Sequence, residues 1–132
     1  FRAVAVSLER GGQSPTRRDE ALHPPLLIQA RYDTAHIHVA GRPVATLDGI
    51  NARIISELAS LGGPASWEAV ATEIWQREAD DRIQLRRRWD VALTRLRRKL
   101  REARLRSDLI RAGGTGQVEL LLYPQDRVEE LG

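Results

Sequence analysis

The chain has 132 residues, 42% hydrophobic and 30% charged, a balance that excludes an intrinsically disordered segment and suits a single folded core. No run of about 18 apolar residues is present, so no membrane-spanning helix is expected. Cysteine is absent, which excludes disulfides, thiolate metal sites and cysteine nucleophiles. The net charge is only +3, yet between Arg86 and Arg106 ten basic residues stand against Asp90 and Glu102. That window carries +8 and leaves about −5 for the rest of the chain, a polarisation that points to a polyanionic partner.

The N-terminal FRAVAVSLE has strand composition, and GGQSPTRRDEALHPP after it is polar and turn-rich. Residues 1–25 are therefore read as a strand and linker. Methionine is absent, so Phe1 is expected to be an internal residue of a longer protein. FRAVAVSLERGG lacks a long apolar core and a small-residue cleavage site; no signal peptide is read, and a cytoplasmic location is expected.

LLIQARY (26–32), AHIHVAG (35–41) and RPVATL (42–47) are short runs punctuated by Asp33-Thr34 and Gly41, the pattern of a small antiparallel sheet. His36 and His38 share one strand face. Zinc would need two further ligands beside them, so they read as structural and no metal site is expected.

From Asp48 the period becomes helical. Ile50, Ile54, Ile55, Leu58 and Leu61 form an apolar stripe, with Asp48 as N-cap and Gly62-Gly63-Pro64 as the stop. Ser66 caps a second helix with Val70, Ile74 and Trp75 inward. Trp67, Trp75 and Trp89 are read as core or seam residues. QREADDRIQL (76–85) leads into a third helix, RRRWDVALTRLRRKLREA. On a helical wheel its Leu85, Trp89, Leu93, Leu96 and Leu100 fall within about 80° of one another.

Opposite that seam stand Arg87, Val91, Thr94 and Arg98, with Arg95 beside them. An apolar Val91 within a basic face serves no solvation purpose. In a DNA major groove it would meet a thymine methyl while Arg95 reaches a guanine edge. Arg86–Asp90 and Arg98–Glu102 are helix-stabilising i,i+4 pairs, but two acids cannot neutralise ten bases. LIRA and VELLLY, joined by Gly113-Gly114-Thr115-Gly116-Gln117, then form a hairpin. No Gly-Lys-Ser/Thr follows, so the glycines are not read as a nucleotide loop. The tail PQDRVEELG (124–132) is acidic and read as peripheral.

WDVALTRLRRKL followed by DLIRAGGTGQ resembles the recognition helix and wing of the OmpR/PhoB-type effector domains of bacterial response regulators, whose usual form is near VDVHISRLRRKL and LIRTVRGVGY. Leu47 and the Ile74-Trp75 pair match that family too. The resemblance covers residues 26–123 and implies an α+β, winged helix-turn-helix domain: a four-stranded N-terminal antiparallel β-sheet, three helices and a C-terminal β-hairpin wing. It implies base contact by Val91 and Arg95, and phosphate contact by Arg87, Arg88, Thr94, Arg97 and Arg98. Arg111, Gly113, Gly114 and Thr115 would form the wing. Glu78, Asp80 and Asp81, in the loop before the third helix, would face RNA polymerase. Two copies are expected on direct repeats, as a homodimer or in tandem. The chain departs from the family at Gly113, where a wing arginine is usual, at Gln117, where an aromatic is usual, and at Ala92.

The expected function is thus sequence-specific binding of double-stranded DNA by a transcriptional regulator. The alternative is a protein-interaction module that turns the same basic face toward an acidic partner, for which the altered wing is the motive. Without cysteine, and with His23 in a loop and His36 and His38 on a strand, no nucleophile–base pair or paired-carboxylate site presents itself. No catalytic residue and no cofactor is expected.

Overall fold

The computed structural model describes residues 24–76 and 81–131. The strand expected near the N-terminus, the linker as far as residue 23, and Glu78 and Asp80 lie outside them.

Among the described residues the fold is mixed α+β, with two sheets and three helices. Strands β1 (Leu26–Ala30), β2 (Thr34–Val39) and β3 (Arg42–Asp48) form the antiparallel meander. Alternation sets its inward face: Leu26, Ile28 and Ala30 of β1 and Ala35 and Ile37 of β2 are buried, while their neighbours face outward. A register shift between Ile37 and His38 places Pro43 opposite His38 on the edge strand β3, where a missing N–H costs nothing.

Helix α1 (Gly49–Leu61) follows β3 directly. Asp48 is its N-cap, although its side chain makes no capping hydrogen bond. Gly62 closes it at φ 71°, donating its N–H to the Leu58 carbonyl, a left-handed conformation that glycine adopts freely. Ile54, Ile55 and Leu58 are wholly inside, as their spacing predicts. A two-residue strand, β4 (Ala65–Ser66), precedes α2 (Trp67–Trp75); the Ser66 hydroxyl accepts from the Glu68 and Ala69 amides at 3.1 and 3.4 Å. Helix α3 spans Arg82–Glu102.

The hairpin is β5 (Ile110–Ala112) and β6 (Gln117–Leu120), and β4 joins it to make a second sheet of order β4-β6-β5. At its turn Gly116 has φ 80°, and an added Cβ would sit 3.3 Å from the Trp67 ring. The Gly116 carbonyl accepts from the Trp67 amide at 2.9 Å, so the turn is docked on the start of α2.

The reading of residues 124–132 as a peripheral acidic tail is corrected by β7 (Arg127–Glu130). It pairs in parallel with β1, Val128 opposite Ile28, and makes the N-terminal sheet a mixed one of order β3-β2-β1-β7. The fourth strand of that sheet therefore comes from the C-terminal region, and the sheet is not purely antiparallel. A buried ion pair fixes it. Arg106 Nη2 lies 2.7 Å from Asp126 Oδ2, with the two side chains 5% and 0% exposed. Asp126 also accepts from the Leu26 amide at 2.9 Å and the Tyr123 amide at 2.8 Å, while the Arg106 guanidinium lies 4.3 Å from the centre of the Tyr123 ring. Periodicity gave no sign of this, because the partners are 100 and 20 residues apart. Among the described residues no helix is long and apolar enough to cross a membrane.

Candidate functional site

Helix α3 turns Leu85, Trp89, Leu93, Leu96 and Leu100 into the core, the five residues its wheel brings together, and buries Ala92 with them. Burying that seam fixes what faces outward. Arg87, Arg88, Val91, Thr94, Arg95 and Arg98 are all exposed, and half of the Val91 surface meets water. Among the described residues no ion pair or hydrogen bond engages the guanidinium of Arg87, Arg95 or Arg98. Their mutual repulsion is moderated only by water and salt unless an anion is present.

The ridge formed by these side chains is bordered by a trough on each side. One, of about 710 Å³, separates α3 from the start of α1 and the end of α2. Asp48, Ile50, Asn51 and Trp75 line it, facing Arg87, Arg88, Val91, Ala92 and Arg95. The other, of about 280 Å³, separates α3 from the hairpin and runs between Asp90, Thr94 and Arg97 on one wall and Gly113, Gly116 and Gln117 on the other. The sequence reading placed Val91 and Arg95 on this surface and read Trp75 as a core or seam residue, but gave no account of Asn51. Trp75, at the last position of α2, is half-buried, so part of its ring is left to line the trough.

One of the expected phosphate ligands, Arg97, is committed inside the fold, and other arginines are engaged as well. Arg97 is half-buried, and its Nη2 donates to the Ile110 carbonyl at 3.1 Å, bracing α3 against β5. Arg97 also lines the narrower trough. Arg106, counted in the basic window, is sequestered with Asp126 and takes no part in the exposed face. Arg86 pairs with Asp90 at 3.2 Å and lies 4.7 Å from the centre of the Trp67 ring. Arg82 pairs with Glu68 and lies over the same ring at 5.6 Å. The first turns of α3 are thereby fastened to α2.

The expected wing residues divide. Gly113, Gly114 and Thr115 form the exposed tip, and the Gly113 amide donates to the Gln117 carbonyl at 2.7 Å. Arg111 is exposed on β5 but forms an ion pair with Glu119, its cross-strand partner on β6. Of the acidic residues expected to face a polymerase, Asp81 is the N-cap of α3, accepting from the Gln84 amide at 2.8 Å. Capping uses one carboxylate oxygen and places the charge where the helix dipole favours it.

Among the described residues no group of three or more His, Asp or Glu side chains could hold a metal ion. His36 Nδ1 contacts Thr46 Oγ1 at 3.3 Å and His38 Nε2 contacts Gln29 Oε1 at 3.2 Å, both on the outer sheet face. At the far end of α1, partial burial and the Glu73 charge raise the Glu57 carboxyl above its ordinary range, opposed by a hydrogen bond from Tyr32. Arg53 binds Asp33 at 2.7 Å nearby.

No family model, curated protein or solved structure matches the chain.

Proposed function

We propose that the chain is a winged helix-turn-helix domain that binds double-stranded DNA sequence-specifically, as part of a transcriptional regulator of the OmpR/PhoB type. The observation that carries this reading is the outer face of α3, where Arg87, Arg95 and Arg98 surround an exposed Val91 without acidic partners among the described residues. A solvated helix face needs charge but not a half-exposed valine, and a structural face would pair its arginines. A major groove about 12 Å wide accepts one helix, offers guanine acceptors to Arg95 and a thymine methyl to Val91, and leaves the two phosphate chains along the flanks. The two troughs beside α3 supply room for those flanks. Arg87 and Arg98 then serve as phosphate ligands, with Arg88 and Thr94, and two copies in tandem would read direct repeats.

The element order supports the same reading. A sheet, a first helix, a short strand, two helices joined by a brief connection and a hairpin are the parts of a winged helix, and the hairpin lies beside the third helix as a wing does. The added parallel strand β7 lies on the sheet, away from the proposed DNA face.

One observation favours a second reading. The strands and turn of the hairpin hold a single basic residue, Arg111, and it is already paired with Glu119. A scaffold with an electrically quiet wing also suits a protein-interaction module whose basic helix meets an acidic partner.

Selection from a randomised duplex library at about 150 mM salt separates the two. An enriched motif, repeated at about one helical turn of 10–10.5 base pairs, is expected for the DNA reader. Retention without enrichment, vanishing as salt rises, leaves only the phosphate contribution and favours the protein partner.

A further inference from the structure

The strand order β4-β6-β5 leaves β5 at the rim of its sheet, and among the described residues Arg111 is exposed there. The ladder sets Arg111 opposite Glu119, and its Nη2 donates to the Glu119 carboxylate. The two partners differ in what they retain of water. The Arg111 side chain is 61% exposed and the Glu119 side chain only 13%. The carboxylate has given up most of its hydration and depends on the guanidinium for compensation. The guanidinium keeps several N–H groups toward solvent, beside the shallow hollow lined by Pro64, Thr115 and Val118.

That asymmetry matters when a polyanion approaches the hairpin. A phosphate that draws Arg111 away strands a largely desolvated carboxylate, and a phosphate that comes to the pair as it stands meets the negative charge of Glu119 at close range. Both routes are unfavourable. We propose that Glu119 is a negative determinant of duplex affinity: it holds Arg111 on the strand and keeps the hairpin from adding a phosphate contact, leaving recognition to α3. The inference rests on the DNA reading above and adds to it a residue that limits binding.

The test uses the Glu119→Gln substitution, which keeps the shape and a hydrogen-bond acceptor and removes only the charge. Affinity for a duplex of about 30 base pairs is measured as salt falls from about 200 to about 50 mM. Released from its partner, Arg111 should add one counterion to those displaced, steepening the log–log salt slope by about 0.9. That corresponds to about 3.5-fold more gain than wild type over this range. Arg111→Ala alone should leave the slope near the wild-type value, and the double substitution should return E119Q to it. An E119Q slope equal to wild type overturns the proposal, as does a loss of a full unit in Arg111→Ala alone, because Arg111 would then be touching phosphate already. A wild-type chain with no salt-dependent duplex binding is a different failure; it removes the DNA reading and this inference with it.

Discussion

Replacing Asp126 by alanine should cost more stability than any exposed substitution in this chain. The carboxylate is fully buried and satisfies three donors, Arg106 Nη2 at 2.7 Å and the amides of Leu26 and Tyr123 at 2.9 and 2.8 Å. Its loss leaves a guanidinium 5% exposed with Asp108, at 3.7 Å from Nε, as its remaining acidic neighbour. Breaking one side of such a pair costs about 3–5 kcal/mol. The Arg106 contact with the Leu121 carbonyl at 2.6 Å and its stacking on Tyr123 persist, which keeps the figure within that range. Against a total stability of about 5–15 kcal/mol, the variant is left marginal, with a melting temperature lower by on the order of 15 °C. Asp126→Asn, which retains one acceptor oxygen, should lose roughly half as much. Urea unfolding followed by far-ultraviolet circular dichroism measures both. Hydrogen exchange should show the Leu131 amide, which donates to the Ala30 carbonyl at 2.7 Å, losing protection first. A cost below about 1 kcal/mol for Asp126→Ala, with m unchanged, would refute the assignment of this pair as the fastener of β7.

On the DNA face, Arg95→Ala should cost about 1–3 kcal/mol and relax preference at one base, whereas Arg98→Ala should weaken all sequences alike and lower the salt slope by about one unit; competition binding against single-base variants of the selected motif distinguishes them. Gly116→Ala should destabilise the domain by about 1–2 kcal/mol, since it forces a side chain into φ 80° and onto Trp67, and thermal melts will show it. Glu57 supplies the pH dependence. Its folded-state carboxyl titrates above its unfolded value through burial and Glu73, so the fold binds the proton more readily and loses stability as pH rises through that interval. Glu57→Gln should therefore match wild type below the ordinary carboxylate range and exceed it at neutral pH, a difference that melts across pH will register.

Local pattern determined what could be foreseen. The α3 seam, the Ser66 cap, the Gly62 stop and the glycine turn depend on neighbours within a few residues, and each stands where its spacing puts it. Strand β4 escaped notice because two residues carry no alternation. Strand β7 escaped because RVEE is acidic with one apolar residue; its partner β1 lies 100 residues back, and only the Arg106–Asp126 pair reveals why it returns. The candidate site shows the same division. The wheel separates Val91, Arg95 and Arg98 from the core without a structure. Position along the chain alone cannot show that Arg97 would be engaged by the Ile110 carbonyl, Arg106 by Asp126 or Arg111 by Glu119, because each partner arrives from another element.

The parallel pairing of β7 with β1 imposes an order on how the chain can acquire its structure. Leu26 waits for Asp126 through some 100 intervening residues, about 5–20 s of synthesis at ordinary elongation rates. Until then β1 presents one open edge, and the buried arginine that will receive Asp126 has no counter-charge from it. A chain that ends before residue 126 contains α1, α2, α3 and the hairpin but lacks the fourth strand of its larger sheet. The larger sheet is thus closed by a strand that is made after its other three strands and after α1, α2 and α3.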